Sequence, residues 1–182
     1  MNNYKLKPWS IISISTILIL FTTSTYAAEM GVYGGIGAGY AVLEEVSPNT
    51  DQADIGSKLY AGMRIFGPLG IEAGIYNLGT YNNEQDKITG TTVSAVASLD
   101  TKSVSLFAKA GIIDWEVKDI TPGGRAISGT NTAFGIGINV PVEKQLLFRV
   151  EWERFNKIGE DAANSQPGQN LSLLTVGVNF MF

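Results

Sequence analysis

The stretch from Leu171 to Phe182 reads LSLLTVGVNFMF and has the alternation of a β-strand. Apolar residues occupy every second position from Leu174 onward: Leu174, Val176, Val178, Phe180 and Phe182. The residues between them include Thr175, Gly177 and Asn179, which are small or polar. Successive side chains of a strand point to opposite faces, so one face of this strand is apolar and the other tolerates water.

The spacing in this stretch resembles the C-terminal assembly signal of outer-membrane barrels. In that signal a polar residue precedes a glycine, and two aromatic or apolar residues follow at alternating positions, the last of them terminal. Thr175, Gly177, Phe180 and Phe182 fit this pattern. The alternative is an ordinary edge strand at the end of the protein, and the other end of the chain argues against it.

The N-terminus has the three-part organisation of a secretory signal. Residues 1–9 are polar and carry two lysines and no acidic residue, and an apolar run follows from Ile11 to Phe21. This run is about half of the roughly 20 residues that a membrane-spanning helix needs. Thr25 and Ala27 then supply the small residues that a signal peptidase reads. We expect cleavage between Ala27 and Ala28, with a retained N-terminal anchor as the alternative.

Residues 1–27 are therefore predicted to be a signal peptide, and residues 28–182 have the length of one domain. Loss of the two signal lysines takes the net charge from −4 to about −6. An acidic chain without a basic cluster is a poor nucleic-acid binder, so that class is excluded. The chain has no cysteine for a disulfide. Its 21 glycines and low charged fraction of 16% are unusual for a soluble domain.

Period-two alternation recurs in eight segments bounded by turn residues. These are Gly31–Leu43, Ile55–Phe66, Gly70–Leu78, Thr91–Leu99, Ser103–Trp115, Thr132–Val140, Gln145–Phe155 and Leu171–Phe182. Short turns alternate with four long polar connections, at Glu44–Asp54, Gly79–Gly90, Val117–Asn131 and Asn156–Asn170. The pattern predicts an all-β fold, an eight-stranded antiparallel up-and-down transmembrane β-barrel with its long loops outside the cell. Closure leaves no unpaired sheet edge in the bilayer.

The two faces of the segments differ in a way that predicts which one meets lipid. In Gln145–Phe155, Phe148 and Trp152 lie on one face, whereas Arg149 and Glu151 lie on the other. The charged and glycine-rich face suits the narrow interior of an eight-stranded barrel, so the apolar face is predicted to point outward. A soluble lipocalin-like carrier, the alternative, would turn it inward. Aromatic residues near strand ends fit a headgroup belt; they are Tyr40, Trp152, Phe180 and Phe182.

Seven charged residues share the parity of the inward face: Lys58, Arg64, Glu72, Lys109, Arg149, Glu151 and Glu153. Charges in so narrow a space must pair, because a desolvated lone charge is very costly. They form either a polar plug that fills the barrel or a breakable gate in a water path, and the plug is the favoured interpretation.

The chain contains no histidine, which excludes Ser-His-acid hydrolysis and histidine-based acid–base chemistry. We therefore expect no enzymatic activity and no cofactor. Two carboxylate pairs, Glu44-Glu45 and Glu160-Asp161, lie in predicted loops without the ligand spacing of a metal site. The glycines of Gly35–Gly39 alternate along a strand and do not form a nucleotide-binding loop.

Residues 31–182 resemble the transmembrane domain of the OmpA-like outer-membrane proteins, most specifically in four stretches: Gly70–Gly79, Ser105–Gly111 with Trp115, Phe148–Phe155 with Ile158-Gly159, and Leu171–Gly177. The resemblance implies a lumen ion pair between Glu72 and Arg149. The family's competing lysine on the fourth strand has no counterpart here, and Lys109 on the next segment is the available substitute. The chain stops at Phe182, so we expect a barrel without the family's peptidoglycan-binding domain.

The resemblance also implies residence in the cell outer membrane, as a monomer, with a structural or adhesin-like surface-interaction role. The alternative is a low-conductance, porin-like channel gated by lumen ion pairs. The expected partners are outer-membrane lipid and lipopolysaccharide, the barrel assembly machinery and periplasmic chaperones, and an extracellular partner at the long loops. Lipid-modifying barrel enzymes depend on a histidine, which this chain lacks.

Overall fold

Eight antiparallel strands close into a barrel in chain order. They are β1 (Val32–Glu44), β2 (Gln52–Phe66), β3 (Leu69–Tyr81), β4 (Asp86–Asp100), β5 (Ser105–Asp119), β6 (Ala126–Pro141), β7 (Leu146–Ile158) and β8 (Gln169–Met181). The structure, a computed structural model, describes residues 31–44, 52–81, 85–101, 103–119, 121, 124–160 and 167–182. The predicted fold class is confirmed. The predicted signal peptide and cleavage site lie outside the described residues. The described residues contain no helix long and apolar enough to cross a membrane.

The register of the strands makes the barrel narrow. Following paired residues once around the barrel from Tyr33 leads back to β1 at Leu43, ten residues further along the chain. A shift of this size in eight strands corresponds to a tilt of about 40° and an interior just wide enough for side chains. Any charged group that points inward must therefore contact groups from several other strands.

The outer surface of the barrel is apolar, as predicted. Large side chains such as Ile36, Leu59 and Ile136 are more than half exposed. Along β2 the exposed apolar residues run from Ile55 to Ile65. At about 3.3 Å per residue and a tilt of about 40°, this run spans roughly 25 Å along the membrane normal, the height of the apolar band of outer-membrane barrels. The apolar face of each strand thus meets lipid.

All eight strands extend further at the long-loop end than the sequence predicts, and β4 and β6 extend the most. β4 begins at Asp86, whereas its predicted start is Thr91, and β6 begins at Ala126, whereas its predicted start is Thr132. Most of the predicted loops Gly79–Gly90 and Val117–Asn131 is consequently strand, and only residues 82–85 and 120–125 connect those strands. Beyond the bilayer the outer face is polar, so apolar alternation fades from the sequence although backbone pairing continues.

The long-loop half of the interior is an apolar core. Its buried members include Leu78, Tyr81, Ile88, Ile113, Trp115, Phe155, Leu171 and Leu173. The Trp115 indole donates a hydrogen bond from Nε1 to Asn131 Oδ1 at 2.6 Å. Gly129 leaves room for the same ring, since a Cβ there would lie 2.6 Å from it. These side chains pack against one another inside the long-loop half of the barrel.

Replacing Phe155 with alanine is expected to lower the free energy of unfolding by about 3–5 kcal/mol, because its fully buried ring would leave a cavity in this apolar core. Phe148→Ala is the matched control, since Phe148 lies on the same strand but is 40% exposed on the outer face. Denaturant unfolding in detergent micelles measures both. Equal losses in the two variants would contradict the assignment of the faces of β7.

Candidate functional site

Six charged side chains from four strands meet in the middle of the barrel. They are Lys58 on β2, Glu72 on β3, Lys109 on β5, and Arg149, Glu151 and Glu153 on β7, and all six are buried. The alternation of each strand turns these positions inward, and the narrow barrel brings them together. We call this set the lumen charge cluster. It contains three cations and three carboxylates and is therefore neutral overall.

Glu72 has two cationic partners at once. Arg149 donates from Nη1 to Glu72 Oε2 at 2.8 Å, and Lys109 Nζ donates to Oε1 at 2.9 Å. The Tyr33 hydroxyl adds a hydrogen bond to Oε2 at 3.0 Å. The ion pair implied by the family resemblance is thus in contact, and Lys109 is a second cation in contact with Glu72.

The other two carboxylates are bridged by both lysines. Lys58 contacts Glu151 closely and lies 2.6 Å from Glu153. Lys109 Nζ lies 2.6 Å from Glu151 Oε1 and 2.7 Å from Glu153 Oε1. Arg149 Nε donates to Glu151 at 2.8 Å. Every carboxylate of the cluster therefore touches at least two cations, which compensates for their removal from water.

Aromatic side chains surround the cluster. The Arg149 guanidinium lies 4.4 Å from the centroid of Tyr60 and 4.1 Å from that of Phe107, distances typical of cation–π contacts. Tyr76 donates a hydrogen bond to Glu153 at 2.8 Å. Sequence reasoning did not single out these three rings, although each has the inward parity of its strand. Their role depends on neighbours across the barrel, which the linear order of residues does not contain.

Arg64 is the one predicted lumen charge that lies elsewhere. It has the inward parity of β2 but is near the short-turn end, where its guanidinium forms a two-point ion pair with Asp100. Both side chains are partly exposed. The alternation along β2 thus predicts the inward face of Arg64, but its position along the barrel axis separates Arg64 from the lumen charge cluster.

The C-terminal signal residues lie along the seam that closes the barrel. Phe180 and Phe182 are exposed on the outer face, with ring centroids 5.1 Å apart in an edge-on arrangement. The Phe182 amide donates to the Val32 carbonyl at 3.0 Å, so the last residue still joins β1. Gly177 packs tightly against β1, and Thr175 points inward. Their recognition during assembly remains a prediction.

A closed eight-stranded barrel with an apolar outer band and a neutralised charged interior is a transmembrane β-barrel. The chain belongs to the family described as outer membrane protein beta-barrel domain, whose sequence profile matches residues 13–182. This membership confirms the resemblance to OmpA-like barrels and the location in the outer membrane. No group of three or more metal-ligating residues occurs in the part of the chain that the structure describes.

Solved structures share this fold at low sequence identity. Neisserial surface protein A has a TM-score of 0.66 and 20% identity, covering 83% of this chain and 97% of its own. Ail of Yersinia pestis, solved with the heparin analogue sucrose octasulfate, has a TM-score of 0.58 and 15% identity over 85% and 99% of the two chains. The N-terminal barrel of Pseudomonas aeruginosa OprF gives 0.59 and 12%, over 84% and 97%. No curated protein sequence matches.

Proposed function

We propose that this chain is a sealed outer-membrane barrel with a structural or surface-interaction role, its long loops facing outside the cell. The observation that carries the proposal is the filled interior. The lumen charge cluster occupies the middle of the barrel, and the side chains of the apolar core pack together in the long-loop half. A barrel filled by paired charges and packed rings offers its outer surface for interaction.

The net charge of the long-loop end indicates which class of extracellular partner can bind there. Residues 44–54, 77–91, 114–131 and 154–170 contain 11 acidic and five basic side chains. The whole net charge of the mature chain, about −6, therefore resides at this end. Ail was crystallised with a polyanion, whereas an acidic surface repels polyanions. The proposed extracellular partner is consequently neutral or cationic.

Contact with outer-membrane lipid follows from the exposed apolar band. The further partners that we propose are lipopolysaccharide around the long-loop end, and periplasmic chaperones and the barrel assembly machinery during biogenesis. We also propose that the barrel is a monomer. Its fold closes on itself through β1 and β8 and needs no second copy to complete the sheet.

In planar bilayers the parent protein is expected to produce no conductance steps above the lipid baseline, because the filled interior excludes a continuous water path. Single-channel recording over a range of voltages measures this. On intact cells, added protease should cleave the barrel only in its long connections. Cells that display the barrel should also bind surfaces that cells without the barrel do not bind. Regular conductance steps together with no gain in cell binding would reject the proposed function.

The second candidate is a low-conductance channel gated by the lumen ion pairs. Two observations favour it: Glu72 contacts cations on two strands, and the buried side-chain oxygens of Asn139 and Asn179 have no hydrogen-bond partner among the described residues. Both asparagines lie between the lumen charge cluster and the short-turn end. Water that enters from the short-turn end would form hydrogen bonds with these two asparagines. If Glu72 then exchanged one cationic partner for the other, the water path would extend through the lumen charge cluster.

A further inference from the structure

A groove of about 1080 Å³ crosses the outer surface of the barrel obliquely. It lies between two rows of outward side chains and passes from β8 across β1, β2, β3, β4 and β5 to β6. Neighbouring strands are about 4.8 Å apart, so the groove is roughly 29 Å long. Because paired residues climb toward the long loops around the barrel, the β6 end of the groove lies nearer the long loops than the β8 end. The groove therefore leads from the middle of the apolar band to its long-loop boundary.

The two ends of the groove differ in chemistry. Between β8 and β3, the wall nearer the short turns is apolar and exposed, and it consists of Val178, Ile36, Leu59 and Ile75. This apolar section is about 14 Å long, comparable with one leaflet of a hydrocarbon core of about 30 Å. From β4 to β6 the walls carry hydroxyl and carboxylate side chains, namely Thr89, Thr91, Asp114, Glu116 and Ser128. The groove thus has the form of an amphiphile, with an apolar section joined to a polar section.

Two lysines stand directly beyond the polar section. Lys87 of β4 and Lys118 of β5 are exposed and lie opposite each other on the outer face. Like charges in this position repel each other, and neither lysine has an ion-pair partner among the described residues. Arg125, exposed in the turn beside Lys118, adds a third cation. An anion between the two lysines would remove their repulsion and gain charge-assisted hydrogen bonds from both.

The order of these groups along the membrane normal specifies the kind of headgroup. From the lipid outward, the opposed pairs on β4 and β5 are Val93 with Ile112, Thr91 with Asp114, Thr89 with Glu116, and Lys87 with Lys118. Successive pairs are about 5 Å apart along the normal, so the lysines stand about 15 Å beyond the last apolar pair. A phospholipid headgroup layer is only about 5–8 Å deep. The ligand therefore has a tall head, with hydrogen-bond donors next to its acyl chain and an anion farther out.

We infer that this groove binds a phosphorylated glycolipid, with one acyl chain in the apolar section, the sugar in the polar section and a phosphate between Lys87 and Lys118. The inference rests on the proposed function and specifies how the lipopolysaccharide named there is held. Hydroxyl and carboxylate oxygens such as those of Thr91 and Asp114 accept hydrogen bonds from sugar hydroxyls and amides. Phosphatidylethanolamine has the opposite order of charge, since its ammonium lies outside its phosphate, whereas this surface has its carboxylates inside its lysines.

NMR on the full barrel in phosphatidylcholine nanodiscs tests the groove directly, with bisphosphorylated lipid A as the probe at increasing mole fraction. Amide signals of residues that line the groove should shift and saturate. Those of exposed residues elsewhere on the outer face, such as Ala97 and Ile136, should not saturate. Lipid A without its phosphates, and phosphatidylethanolamine, should each bind about tenfold more weakly or less, because neither places a phosphate at the height of the lysines.

One matched pair of variants tests the apolar section. Ala38→Trp fills the groove with a large ring and should abolish saturable binding of lipid A. Ala110→Trp places the same ring at an exposed position outside the groove and should retain it. Both positions face lipid, so neither change disturbs the interior of the barrel.

A second matched pair tests the site of the phosphate. Lys87→Gln/Lys118→Gln should weaken binding of bisphosphorylated lipid A about tenfold, to the level of the lipid without phosphates. Arg154→Gln/Lys157→Gln removes the same charge on β7 and should leave the affinity unchanged. Arg154 and Lys157 already have carboxylate partners and lie outside the groove.

Three results would overturn the inference: shifts that spread evenly over the outer face without saturating, equal binding of phosphatidylethanolamine and lipid A, or unchanged binding of lipid A in the Ala38 or double-lysine variant. The proposed function is judged separately, by conductance and cell binding. If cells bind through the barrel while lipid A finds no saturable site, only the glycolipid inference fails. If lipid A binds as expected but the cells gain no binding, the proposed surface function fails.

Discussion

Glu72→Ala is expected to lower the free energy of unfolding by about 3–5 kcal/mol, the usual cost of removing one partner from a buried ion pair. The change leaves three cations facing two carboxylates inside the lumen charge cluster. Arg149 and Lys109 both lose a partner at a distance below 3 Å. Bulk solvent does not reach these cations, because Glu72 is only 3% exposed. Denaturant unfolding in detergent micelles or vesicles measures the loss.

The double change Glu72→Ala/Arg149→Ala restores the balance of charge and should recover part of this loss. The recovery is incomplete because Lys109 and Glu151 each still lack one contact. Arg64→Ala serves as the control, since it breaks an ion pair that is partly exposed to solvent and is expected to cost about 1 kcal/mol or less.

The same variants distinguish the plug from the gate. If the cluster is a plug, the double variant unfolds more easily than the parent but does not conduct. If it is a gate, the double variant also shows raised ion conductance in planar bilayers. Identical stability of the parent, Glu72→Ala, Arg149→Ala and the double variant would show that Glu72 and Arg149 do not interact, against the contact seen here.

Changing Phe180 and Phe182 together to serine is expected to block insertion of the barrel. The two rings form one exposed aromatic pair at the short-turn end of β8, and β8 must pair with β1 to close the sheet. An unclosed sheet would expose backbone amides to lipid, where no water can satisfy them. The yield of heat-modifiable, protease-resistant protein in the outer membrane measures the effect.

Val176→Ser/Val178→Ser is the matched control, because both residues are exposed on the same face of the same strand. It removes apolar contact with lipid but leaves the terminal aromatic pair intact, so most of the folded yield should remain. Normal yield from the phenylalanine variant, or equal loss in both variants, would show that the terminal pair is not a specific assembly signal.

The sequence by itself determined the fold class and the orientation of the faces. Alternation in segments such as Leu171–Phe182 depends only on whether each side of a strand meets lipid or the interior, so a local pattern carries the information. The same parity placed Glu72 and Arg149 on inward faces. Where both faces meet polar surroundings the pattern fades, and the tips of β4 and β6 were therefore predicted as loops.

Only the tertiary structure decided which inward charges meet and where neighbouring strands separate. Arg64 and Lys58 have the same parity on β2, yet one pairs with Asp100 near the short-turn end and the other with Glu151 in the lumen. Height inside the barrel follows from the register of all eight strands, a global quantity that no single segment contains. The point beyond Ala133 and Phe155 at which β6 and β7 separate likewise depends on backbone pairing across the whole sheet.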